Sequence, residues 1–252
     1  SANINFTNQV CYKGLYHLKE SIQTGKPAGL PELGDWNTIY EGLSQLPPEI
    51  QKSWFDFDHH YSDPIFEDAL KLVFENPPKT IFDIGGNTGK FAIACCQFDP
   101  EVNIRIVDLP GQLKIALGNV AEAGFKDRVT HHEIDWLTKN PQLPKGADTI
   151  WMSQFLDCFS KNEILKILKV AVKAMDAETE LIIVETFTDR QQFSSAKLTL
   201  EATSLYFTAL ANGNSKMYSS EDFKSLVNEA GLTLKVDEKL GEFHTIFVCK
   251  KK

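Results

Sequence analysis

The spacing of apolar residues changes near residue 79, and the change divides the chain. Beyond that point short runs rich in Ile, Val, Phe and Trp alternate with longer stretches whose apolar positions recur at helical spacing. The β-type runs fall at 80–84, 103–109, 129–135, 147–153 and 180–187. The helical stretches between and after them are 89–96, 112–123, 161–175 and 194–212. Strand, helix, strand repeated in this way predicts a parallel sheet with right-handed crossovers. Ser160-Lys161-Asn162-Glu163 reads as a capping box opening one helix. Ser219 or Ser220 caps another, which runs to Ala230 and stops at Gly231.

The pattern ends differently. Runs at 232–240 and 244–250 are joined by a few residues around Gly241. So short a connection permits an antiparallel hairpin and no parallel crossover. The expectation is an α/β fold of Rossmann-like kind: a seven-stranded, mostly parallel sheet closed by a C-terminal antiparallel hairpin strand. Residues 1–78 read as helices and turns, punctuated by Gly25-Lys26-Pro27, Pro31, Gly34 and Pro47-Pro48. Two units are therefore expected: a helical segment over 1–78 that serves as linker and lid, and an α/β domain over 79–252.

Composition narrows the partners. The 252 residues are 42% hydrophobic and 24% charged, enough to bury a core without staples. The formal net charge of -8 gives no general attraction to phosphate backbones or anionic lipids, so neither nucleic acid nor a membrane surface is an expected partner. No apolar stretch reaches the ~18 residues of a bilayer span, and the N-terminus lacks a signal-peptide pattern. Cys11, Cys95, Cys96, Cys158 and Cys249 form no C-x-x-C pair. They read as reduced thiols in a cytoplasmic protein, with no metal site expected.

Candidate chemistry sits at the strand ends. Asp83-Ile84-Gly85-Gly86-Asn87-Thr88-Gly89 is a β strand feeding a Gly-rich turn and then a helix. Glycines admit φ > 0 and close ligand approach, and the helix start adds free N–H groups. The spacing is not the dinucleotide fingerprint G-x-G-x-x-G. Asp83 at the strand end suits a cationic ligand. One βα unit on, Val107-Asp108-Leu109-Pro110 places a carboxylate for two ribose hydroxyls. Asp135-Trp136, after the third strand, offers a carboxylate for an adenine amine and a ring for the base. Three such carboxylates at successive strand C-termini lie where open α/β sheets bind ligands.

These residues resemble the class I S-adenosylmethionine (SAM)-dependent small-molecule O-methyltransferases of plant phenolic and bacterial polyketide pathways. The resemblance starts near Tyr12, with Leu18-Lys19-Glu20-Ser21 and Thr24-Gly25-Lys26-Pro27 similar to that family's entry into its catalytic domain. It implies SAM as cofactor, S-adenosylhomocysteine (SAH) as product and a small aromatic or polyketide-like hydroxyl as acceptor. Asp83, Gly85, Gly86, Gly89, Asp108, Leu109, Asp135 and Trp136 would hold the cofactor, with Ser153 where a Lys or Arg often meets it. Members of the family usually dimerise through an N-terminal winged-helix domain that this sequence is expected from its pattern to lack, so a homodimer is expected chiefly of a longer parent chain.

The resemblance also implies a His base in a Leu-His-Asp-Trp segment. Here the segment reads Phe155-Leu156-Asp157-Cys158-Phe159, with Asp157 in the His place. Glu185 matches one of two Glu residues that flank the family's His, and the other is replaced near Met217. Three bases stay open: Asp157 if burial raises its pKa, and His59 or His60 from Phe55-Asp56-Phe57-Asp58-His59-His60-Tyr61. Without the usual His, different SAM chemistry or a non-catalytic SAM-binding module are the alternatives to O-methylation.

Overall fold

A computed structural model describes residues 1–252. Five helices come first: α1 (Ala2–Phe6), α2 (Leu18–Thr24), α3 (Ile39–Gly42), α4 (Pro48–Ser62) and α5 (Phe66–Val73). Strands and helices then alternate as β1 (Thr80–Ile84), α6 (Lys90–Phe98), β2 (Asn103–Asp108), α7 (Pro110–Glu122), β3 (Val129–Glu133) and β4 (Thr149–Ser153). They continue with α8 (Lys161–Ala174), β5 (Glu180–Glu185), α9 (Ser194–Tyr206), α10 (Ser220–Glu229), β6 (Leu232–Leu240) and β7 (His244–Lys251).

The seven strands form one sheet in the order β3-β2-β1-β4-β5-β7-β6. β1 runs parallel to β2 on one side and β4 on the other, so the winding reverses there. β6 and β7 form the antiparallel hairpin that the turn length predicts, and β7 inserts between β5 and β6. Gly241 turns the hairpin at φ +59°, a left-handed conformation that costs glycine little.

Alternation along each central strand supplies two cores. Phe82, Ile84 and Met152 face α8 and α10, whereas Ile81 and Trp151 face α5, α6 and α7. Phe91 stacks on Trp151 with ring centroids 4.2 Å apart, and each buried side chain of this size contributes about 1.5–3 kcal/mol. A third core joins residues of the N-terminal helices, such as Phe6, Ile39 and Leu43, to Tyr206, Leu210 and Met217.

Boundaries shift where side chains intervene. Strand β4 starts at Thr149 because the carboxylate of Asp148 accepts the N–H groups of Lys79 and Thr80 at 2.8 Å each. Strand β3 stops at Glu133, and Asp135 then turns the chain by accepting the Leu137 N–H at 2.9 Å. Helix α7 starts at Pro110, whose missing N–H is harmless in a first turn. The helical stretch expected over 194–212 runs as α9 and then widens into a π turn over Phe207–Ala211. The capping box forms, with the Glu163 carboxylate accepting the Ser160 N–H at 2.8 Å. No helix is long and apolar enough to cross a membrane.

Candidate active site

A cleft opens at the C-terminal ends of β1, β2 and β4. One wall comes from the sheet: Asp83, Gly85, Gly86, Asp108, Leu109, Asp135, Trp136 and Ser153 all line it. The other comes from the N-terminal helices through Tyr40, Leu43, Trp54, Asp58 and His59. Phe155, Cys158 and Phe159, from the segment after β4, lie between them.

The sheet wall is set by backbone geometry. Gly85 has φ +71°, and a Cβ there would stand 2.4 Å from the Phe155 ring. A Cβ on Gly86 would meet Ile106 at 2.7 Å and Asp83 at 2.8 Å. Gly89, at φ +79°, precedes the first residue of α6. Asp83 is buried between β2 and β4, and its Oδ2 has no partner. Burial, and behind it the charge of Asp108, raises its pKa to about 7. Asp108 accepts the Asn87 N–H at 2.9 Å and the Leu109 N–H at 2.7 Å. Burial outweighs those two donors and lifts its pKa to about 6. Trp136 Nε1 and Ser153 Oγ are also buried without partners. Unpaired buried polar atoms are costly, and these three belong to residues on the same wall of the cleft.

The segment after β4 is held from below. Glu185, fully buried at the end of β5, accepts the N–H groups of Phe155 at 3.2 Å and Leu156 at 2.9 Å through Oε1. Burial, then the neighbouring Asp157, pushes the Glu185 pKa well up. Its contact is thus with backbone that carries Asp157. Burial also raises Asp157 to about 7, with a further push from Asp58. The Cys158 thiol donates to Asp157 Oδ1 at 3.5 Å, and Cys158 lines the cleft while Asp157 stands just behind it. Gln154, at φ +47°, is steadied by buried His244, whose Nε2 is 3.0 Å from its Oε1.

The paired histidines separate. His59 lines the cleft, but its Nε2 is 2.9 Å from Thr88 Oγ1 and its Nδ1 faces Asp63 Oδ1 at 3.2 Å. His60 requires a correction: it is exposed, packs edge-on against Tyr61 at 5.1 Å and lies outside the cleft. Neighbours on a helix point about 100° apart, so only one can face the site. Met217 is buried in the third core. Sequence reasoning missed Tyr40 and Trp54, and it quoted Asp58 and Asn87 only within longer runs, without a role of their own. The i, i+4, i+8 spacing of Trp54, Asp58 and Ser62 was the available signal for the α4 face, and all three line the cleft.

The sheet order, the hairpin strand and a ligand cleft over the switch point define a class I methyltransferase fold. Residues 16–233 match the model of the O-methyltransferase domain family, and the chain belongs to that family. It is similar to the L-tyrosine C(3)-methyltransferase of Streptomyces lavendulae, 23% identical over 229 residues that make up 90% of this chain and 61% of that protein. The chain spans about half the length of the curated relatives it matches. Among solved structures, PigF with SAH superposes with a TM-score of 0.83 at 19% identity, covering 97% of this chain and 71% of that one. An O-methyltransferase from neocarzinostatin biosynthesis, in complex with SAM and 2-hydroxy-5-methyl naphthoic acid, gives a TM-score of 0.75 at 18% identity. That match covers 95% of this chain and 68% of the other. At these identities the superpositions establish the fold.

Proposed function

We propose that the chain transfers a methyl group from SAM to a hydroxyl of a small aromatic acceptor. The observation that carries this reading is the set of orphaned buried atoms on the sheet wall, Asp83 Oδ2, Trp136 Nε1 and Ser153 Oγ. They fit a ligand with a cationic end, a ribose and a purine. Asp83 would pair with the ammonium of the methionine part. Asp108 uses one lone pair of each oxygen on loop N–H groups, leaving acceptor capacity for ribose hydroxyls. Asp135 and Trp136 would meet the adenine. Gly85 and Gly86 keep the loop free of side chains.

When bound, SAM supplies an activated methyl on a sulfonium. The chain's own part is to orient, exclude water and take a proton. Residues 1–78 act as the acceptor-side lid: Tyr40, Leu43 and Trp54 present a mostly apolar wall that suits a flat ring. Holding the acceptor oxygen in line contributes about 7–11 kcal/mol through orientation. Asp157, which stands just behind the cleft lining, would receive the hydroxyl proton through one bridging water. A pKa of about 7 places it near working pH, where a general base is most effective. Glu185 holds Asp157 in place through the backbone at Phe155 and Leu156. His59 is engaged with Thr88 and Asp63 and is better suited to holding the loop than to deprotonating an acceptor.

A second reading keeps SAM and changes the acceptor atom. It is favoured by Asp157 in place of the expected His and by the similarity to an enzyme named for C(3)-methylation of tyrosine. Incubation with SAM and a panel of phenols, followed by mass spectrometry, separates the readings. Gain of one methyl on oxygen supports the first, and gain on carbon supports the second. SAM binding with no turnover on any phenol contradicts both and leaves a non-catalytic module.

A further inference from the structure

Helix α4 is fastened to two distant parts of the molecule. Trp54 Nε1 donates to the hydroxyl of Tyr206 at 2.9 Å, tying α4 to α9. One turn later Asp58 Oδ2 accepts from Asn87 Nδ2 at 3.0 Å. His59 Nε2 is 2.9 Å from Thr88 Oγ1. Just beyond the helix, Lys90 Nζ donates to Asp63 Oδ2 at 2.6 Å, while Asp63 Oδ1 faces His59 Nδ1 at 3.2 Å. Asp58 and His59, in the last full turn of α4, thus grip two positions of the glycine loop, and Asp63 at the helix end grips the first residue of α6. The same helix carries Trp54 into the acceptor-side wall.

Asn87 is the joint. It sits at φ +50°, a region few residues other than glycine, Asn and Asp adopt. Its side-chain amide holds Asp58, and its backbone N–H holds Asp108 Oδ2 at 2.9 Å. A displacement of α4 therefore pulls on the residue that fixes the ribose-facing carboxylate. Asp108 accepts from Asn87 and Leu109 and makes no hydrogen bond to α4, so the path runs through Asn87.

We propose that Asp58 and His59 are positioning residues that clamp α4 onto the glycine loop through Asn87 and Thr88, and that this clamp sets cofactor affinity by fixing the Asp108 carboxylate. The clamp also places the acceptor-side wall and the cofactor in one register. It rests on SAM as the cofactor. Asp58 accepts a hydrogen bond and needs no charge to do so, so an amide oxygen at the same position serves. Asn87 contributes an amide and a backbone conformation, and glycine preserves the second while removing the first.

Calorimetric titration of SAH, with a thermal melt of each protein, tests the clamp. The proteins are the parent chain, Asp58→Ala, Asp58→Asn, Asn87→Gly and the double variant Asp58→Ala/Asn87→Gly. Asp58→Ala and Asn87→Gly each weaken SAH binding about 5–30-fold, the effect of leaving one buried hydrogen-bond partner unpaired. Asp58→Asn restores affinity to within about threefold, and the double variant binds no more weakly than the weaker single one, since both remove the same contact. Should Asp58→Ala fail to fold, Asn87→Gly against Asp58→Asn decides. Parent binding with Asn87→Gly within twofold of it, or additive losses in the double variant, overturns the clamp alone. No SAH binding by the parent chain overturns the cofactor reading and the clamp together.

Discussion

The two walls of the cleft are built in different ways. On the sheet wall each functional carboxylate is fixed by backbone: Asp83 by its register against Ile106 and Trp151, and Asp108 by two loop N–H groups. The helical wall is fixed by side chains. Phe6 stacks on Phe57 at 4.0 Å, Trp54 bonds Tyr206, and Tyr40 keeps its hydroxyl buried and unpaired. Backbone geometry survives substitution of neighbouring side chains, whereas a wall of interdigitated aromatics changes shape with each one. On the proposed reading, one scaffold can thus keep one cofactor while the choice of acceptor is written on the N-terminal helices and the segment after β4.

Breaking the chemistry while sparing the sheet wall gives the largest effect. Asp157→Asn lowers kcat by about 10²–10⁴-fold, the contribution of a general base, and leaves SAH affinity within twofold. A parallel loss of affinity would show that Asp157 also shapes the cofactor side of the cleft. The converse is Asp108→Ala, which strips the partner from two loop N–H groups and from the ribose. It weakens SAM binding by about 2–5 kcal/mol in a calorimetric titration. Gly85→Ala forces a side chain into φ +71° against Phe155. It lowers unfolding free energy by about 1–3 kcal/mol in denaturant melts.

A smaller effect is set by pH. Asp83, with a pKa of about 7 before cofactor binds, must lose its proton to pair with an ammonium. SAM affinity therefore falls about tenfold per pH unit below 7, and more steeply below the value of about 6 for Asp108. Asp83→Asn flattens the upper limb. In the cofactor-free chain the same raised values act on stability with the opposite sense. The folded state keeps protons that the unfolded chain has released above 3.8, so the contribution of Asp83 to stability declines as pH rises through about 7. Smallest of all, exposed His60→Ala changes neither kcat nor SAM affinity by more than about 0.5 kcal/mol, whereas His59→Ala changes SAM affinity.

The sheet wall was legible in the sequence because its logic is local. A strand end, a turn glycine and the next carboxylate are close in the chain, and strand ends coincide with ligand positions in this architecture. Strand positions and the hairpin followed from period and turn length. The helical wall was less legible. Which of His59 and His60 faces inward depends on the rotation of α4, and that is set by Asn87, Thr88 and Tyr206, from 29 to 152 positions away in sequence. The raised pKa of Asp157 comes from burial and from Asp58, neither of which leaves a mark in the segment Phe155-Leu156-Asp157-Cys158.

The most direct test of the account is a calorimetric titration of SAM into the chain at pH 8, where Asp83 and Asp108 are ionised. One-to-one binding with a Kd below about 1 mM, the upper end of the usual KM range, weakened by about 2–5 kcal/mol in Asp108→Ala, is the predicted result. No binding heat at millimolar SAM, or binding that Asp108→Ala leaves intact, would contradict it.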